Sequence, residues 1–147
     1  MGLIIIGTRL FVDARHVRYL VLVNGERLLL PFRVFKALAI LAVRRRSRQR
    51  AGWTKIEDVY YPRYLAYDCI KRLRHESGHR IDVESRHGSG MFRLRFDPRE
   101  IVICSTMAEF DDADITREIA ACGVRLVPEE KIELPSGDQA SRFEARS

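Results

Sequence analysis

The sequence predicts an α+β fold: an N-terminal antiparallel β-sheet, three helices in succession, a basic hairpin and a short C-terminal extension. Three observations predict it. Residues 3–30 hold apolar, β-branched runs interrupted by Asn24-Gly25. Residues 31–77 change to apolar positions at three- and four-residue spacing. Residues 81–96 return to short runs flanking a loop that contains Gly88 and Gly90.

In chain order, residues 3–6 and 10–12 read as short strands and residues 17–23 as a stronger one. Asn24-Gly25 then predicts a tight hairpin into residues 26–30, because such a turn needs positive φ at both central positions. Pro31 suits the first turn of a helix. Val34, Phe35, Leu38, Leu41 and Ala42 supply its apolar side, and Arg44, Arg45 and Arg46 its C-terminal end. Thr54-Lys55-Ile56-Glu57 has the form of a capping box, so a short helix should run to Tyr60. Trp53 is expected as a core plug between these two helices. A third helix should span residues 62–77, from Pro62 to the Gly78 stop. Strands at 81–84 and 92–96 enclose the basic loop 85–90.

Asp97-Pro98 marks an expected boundary. It divides a domain of residues 1–98 from an acidic strand and helix extension, 99–134, and a disordered tail, 135–147. Residues 113–122 read as a helix headed by Asp111, Asp112 and Asp114 and ended by Gly123. So short a helix must lay its apolar side on something, and a second protomer is the favoured expectation.

The charge divides in the same way. Residues 1–98 carry 20 Lys and Arg against 9 Asp and Glu, and residues 99–147 carry 6 against 11. A basic body attracts polyanions, and arginine suits phosphate oxygens and guanine edges. No run of residues is long and apolar enough to cross a membrane, and the N-terminus lacks the layout of a signal peptide. Three widely spaced cysteines suit reduced thiols in a cytoplasm.

The third helix carries the functional expectation. With Ala66, Ile70 and Leu73 turned to the core and Leu65 and Cys69 at the flank, the opposite face holds Tyr64, Tyr67, Asp68, Lys71, Arg72 and His75. A short helix precedes it across the Tyr61-Pro62 joint, which is the helix-turn-helix arrangement. The hairpin then reads as a wing, with Arg86 and His87 at its tip and Arg93 and Arg95 alternating with Leu94 and Phe96. No catalytic, nucleotide or metal motif stands out. Gly88-Ser89-Gly90 lacks a following helix, and His75 and His79 are separated by Gly78 without a third ligand. No enzyme, cofactor or metal is expected.

Three segments resemble the DNA-binding effector domain of OmpR/PhoB-type response regulators. They are Val23-Asn24-Gly25 with residues 28–30, Ile70-Lys71-Arg72-Leu73-Arg74, and residues 83–90 followed by Phe92-Arg93-Leu94. The resemblance covers residues 10–96 and implies a winged helix-turn-helix that binds double-stranded DNA and regulates transcription, as a homodimer in the cytoplasm. No receiver domain is expected within these residues, Met91 stands where the family's wing has an aromatic, and an extra residue precedes Arg93. The loop between the second and third helices is shorter than the one with which the family touches RNA polymerase, a further candidate partner. By position, Tyr64, Tyr67, Asp68 and Lys71 would face bases, and Arg72, Arg74, His75, Arg86, His87 and Arg93 would hold the DNA backbone. Two alternatives stay open: a winged helix used as a protein–protein adaptor, and a nucleic-acid-binding protein without sequence preference.

Overall fold

The computed structural model describes residues 2–135 except Val12, Ala14, Arg48, Tyr61 and His87. The expected tail from 136 onward lies outside the described residues. The described residues form an α+β fold, with two sheets and four α-helices.

β1 (Leu3–Phe11), β2 (Val17–Val23) and β3 (Glu26–Leu30) form an antiparallel meander. Asn24 and Gly25 take positive φ, 51° and 83°, as the hairpin between Val23 and Glu26 requires. Residues 3–11 make one strand rather than two, kinked by a bulge in which Ile6, Gly7 and Thr8 oppose Leu20 alone. Gly7 sits there at φ 78°, and a Cβ on it would lie 2.5 Å from Met107 Sδ.

The sheet does not end with these strands. β7 (Ile101–Cys104) pairs with β1 in parallel and β8 (Leu126–Val127) pairs with β7, giving the order β3-β2-β1-β7-β8. The expected antiparallel N-terminal sheet is thus extended into a mixed one. The physical reason is burial on both faces: Leu3 and Ile5 of β1 face one core, and Ile6 and Leu10 the other. A strand apolar on both sides belongs inside a sheet, with a neighbour on each edge.

α1 (Phe32–Ser47) lies between the two sheets and is buried almost all round, from Val34 to Val43 apart from Lys36. Ala37, Ala39 and Ala42 let neighbouring elements come close to its axis. After a left-handed turn (Gln49–Gly52) comes β4 (Thr54–Lys55), which the sequence reading did not anticipate. Thr54 is no helix cap. Its hydroxyl donates to Gly52 O, and α2 (Ile56–Val59) starts after Lys55 without a side-chain cap. α3 (Arg63–Glu76) follows, then β5 (Val83–Arg86) and β6 (Met91–Leu94). The second sheet is antiparallel, in the order β4-β6-β5.

The segment beyond Asp97 joins the same core. Asp97 caps a 3-10 turn (Pro98–Glu100) that leads straight into β7. α4 (Ala113–Cys122) then lays Ile115, fully buried, on the body of its own chain. The favoured expectation, a second protomer under this helix, is corrected, because α1 offers both apolar surface and opposite charge. Lys36 Nζ lies 3.1 Å from Asp112 and 2.7 Å from Asp114, and Arg44 Nε lies 2.5 Å from Glu118.

Candidate nucleic-acid interface

α3 begins where Pro62, extended at φ −74° and ψ 168°, can no longer continue the preceding turn. Its inner side is Ala66, Cys69, Ile70 and Leu73, all buried. Burial, and then the neighbouring Asp68, push the Cys69 thiol up, away from the reactive thiolate. With that side fixed, the helix has no freedom to rotate. Tyr64 is therefore 71% exposed and Tyr67 44% exposed, and Asp68, Lys71, Arg72 and His75 stand in solvent beside them.

Among the described residues, the side chains of Tyr64, Asp68, Lys71 and His75 have no hydrogen-bond or ion-pair partner in the protein. Arg72 reaches only 4.0 Å from Glu76, whose other oxygen receives Arg18 at 3.1 Å. The outer face of α3 thus offers donors and acceptors and two aromatic rings on a rigid support. Tyr67 also leans edge-on against Phe92 of β6, ring centres 5.7 Å apart, and so ties this face to the hairpin.

Two of the arginines assigned to the DNA backbone are placed differently. Arg74 turns back toward the hairpin, donating to Val83 O, with its Nε 3.4 Å from Asp82. Arg93 donates to Glu84 and, at 3.0 Å, to Ala51 O. For Arg93 a carboxylate and a carbonyl together satisfy the guanidinium, whereas for Arg74 one terminal nitrogen is bonded to Val83 O and the buried Nε, though near Asp82, makes no hydrogen bond. Both arginines hold the hairpin to the body. Arg86 is exposed at the end of β5, and His87 lies outside the described residues.

Trp53 is not a core plug. It is half-buried just ahead of β4, with the guanidinium carbons of Arg93 and Arg86 at 4.4 and 4.8 Å from its ring centre. Such stacking is worth ~0.5–1 kcal/mol per cation at exposed sites. The preceding turn is strained, with Arg50, Ala51 and Gly52 all at positive φ. Arg45 and Arg93 both donate to Ala51 O and steady it. Burial, and then the nearby Arg93, push the Arg45 pKa down.

Two cations escaped the sequence reading. Lys55 is exposed on β4 opposite Met91. Arg63 starts α3, 3.0 Å from Glu57 and with its Nη2 near Gly90 of the hairpin turn. The alternation of Trp53 and Lys55 about buried Thr54 was the available signal for the first. Comparison of the chain with protein-family models, with curated proteins and with solved structures finds no significant match.

Proposed function

We propose that this chain is a winged-helix protein that binds duplex DNA and regulates transcription. α3 would enter the major groove, and the β5–β6 hairpin would lie on the adjacent backbone. The succession α1-β4-α2-α3-β5-β6, with β4 on the far side of β6 from β5, is the connectivity such a module needs. The observation that carries the reading is the outer face of α3, where Tyr64, Tyr67, Lys71 and His75 are exposed while the inner face is locked. Lys71 suits guanine acceptors, Asp68 the cytosine amino group, and the tyrosines thymine methyls. Arg72, Arg86, Lys55 and Arg63, all exposed, would hold phosphates, contacts that fix register without reading sequence.

Two-fold use on a repeated half-site would raise specificity, as in other helix-turn-helix proteins. Because Ile115 is turned to its own body, that pairing would use a surface other than the apolar side of α4. RNA polymerase is a candidate partner only through surfaces other than the tight α2–α3 connection. No helix among the described residues is long and apolar enough to cross a membrane.

The test is selection of bound sequences from a random duplex library, followed by titration of the selected site, random duplex and single-stranded RNA. Lys71→Ala should cost about 1–3 kcal/mol on the selected site and little on random DNA. Arg86→Ala should weaken both duplexes alike and flatten their salt dependence. Failure to enrich any duplex, with salt-independent or absent binding, would reject DNA recognition and leave the adaptor reading. Equal losses for Lys71→Ala on selected and random DNA would leave nucleic-acid binding without sequence preference.

A further inference from the structure

The bulge in β1 opens a cleft of about 480 Å³ on the side of the molecule formed by β1, Tyr19 and residues 106–111. Its size falls within the range of about 300–1,000 Å³ usual for small-molecule sites. The floor is aromatic. Tyr19 and Phe110 have ring centres 5.5 Å apart and rest on Phe35 and Phe32 at the start of α1. Phe110 can settle there because Gly7 has no side chain, a Cβ at that position falling 3.1 Å from the Phe110 ring.

The rim is charged in two opposite senses. Glu109 and Asp111 line one part, and Arg9 and Thr8 another. These carboxylates differ from the others nearby. Asp112, Asp114 and Glu118 are engaged by Lys36 and Arg44, whereas Glu109 and Asp111 have no cation within ion-pair distance among the described residues. Arg9 likewise has no carboxylate among the described residues and rests 5.5 Å from the Phe11 ring centre. Unpaired charges of both signs around an aromatic floor ask for a ligand with the complementary set.

We infer that this cleft binds a small zwitterion with an aromatic body, its ammonium directed at Glu109 and Asp111, its carboxylate at Arg9 and its ring on Tyr19 and Phe110. Two carboxylates face one guanidinium, so the ammonium end dominates. A ligand that keeps only the ammonium should bind better than one that keeps only the carboxylate.

Isothermal titration of the full-length protein, without DNA, tests this with three probes: phenylalanine, phenethylamine and 3-phenylpropanoate. The expected order is phenylalanine first, phenethylamine second and phenylpropanoate last. Each charge-assisted contact is made at an exposed side chain and should be worth about two- to fivefold in affinity. Arg9→Gln should weaken phenylalanine by that factor and leave phenethylamine unchanged. Glu109→Gln with Asp111→Asn should weaken both. All three residues are at the surface, and a melting curve checks that the variants fold. Absence of binding by all three probes at millimolar concentration would overturn the inference. So would a carboxylate-first order, or variants that bind like the parent. None of these outcomes bears on the DNA reading, which is measured separately.

Discussion

α3 and α4 are both short amphipathic helices of one chain, yet they dispose of their polar sides in opposite ways. α4 places every acidic group of its inner edge on a cation of α1, and its first turn is capped by Asp112, which accepts from Asp114 N and Ile115 N. α3 buries its apolar side more fully, with Ala66, Cys69, Ile70 and Leu73 all buried where α4 buries Ile115 alone. Yet the side chains of Tyr64, Asp68, Lys71 and His75 have no hydrogen-bond or ion-pair partner among the described residues. An amphipathic pattern therefore tells which side is buried and nothing about whether the other side is already occupied. Pairing within the fold separates a helix that closes a structure from one that is open to a partner.

If α4 and β7 are parts of the body, a chain ended after Asp97 should lose far more than an appendage. It would uncover one edge of β1 and leave Lys36 and Arg44 without their acidic partners on α4. Loss of cooperative thermal unfolding by circular dichroism is the expected result. A sharp melt close to that of the full chain would break the comparison at its root. The two sides of α3 should differ next most strongly. Leu73→Ala should cost about 2–5 kcal/mol in urea titrations, and Tyr64→Ala should stay within about 0.5 kcal/mol. Similar values for both would mean that α3 does not pack as described.

Double-mutant cycles compare the ion pairs directly. Arg44 with Glu118, both largely shielded, should couple by about 1 kcal/mol, and Arg72 with Glu76 by no more than ~0.3–0.5 kcal/mol. The smallest expected effect is in acid. The Lys36 hydrogen bond, and then its charge, hold the Asp114 carboxyl below its ordinary value. Burial opposes the Lys36 charge, but its bonds to Asp114 and Asp112 outweigh that and raise its pKa. The folded state thus holds the Asp114 proton less readily than the unfolded chain. This stabilisation is complete at neutral pH and fades as pH falls below about 4. Because Asp114 is half-exposed, Asp114→Asn should remove less than about 1 kcal/mol at pH 7. Its stability should also depend less steeply on pH in that acid range. An unchanged acid limb would remove Asp114 from the clamp.

What was legible in the sequence was local. Asn24-Gly25 specifies its turn through the backbone angles those two residues tolerate, and α3 shows its buried side through the spacing of Ala66, Ile70 and Leu73. The mixed sheet was not legible, because residues 101–104 find β1 about a hundred residues earlier, and no short-range pattern specifies that partner. β4 has two residues, too few to show a period. Arg74, Arg93 and Trp53 went astray for a related reason. A helix or strand angle says where a side chain leaves the backbone, while Val83 O, Ala51 O and the guanidiniums over the indole decide where it ends.

The central place of β1 also has a temporal consequence. Its partner β2 follows within a few residues, but its other neighbour, β7, arrives only after α1, α2, α3 and both strands of the hairpin have been made. Contacts that span so much chain form slowly, and an unpaired apolar strand edge invites association meanwhile. A growing chain would hold its first strand half-finished while the middle of the molecule takes shape. Thr106, whose hydroxyl donates back to Ile6 O at 2.6 Å, would then help to latch β7 in place.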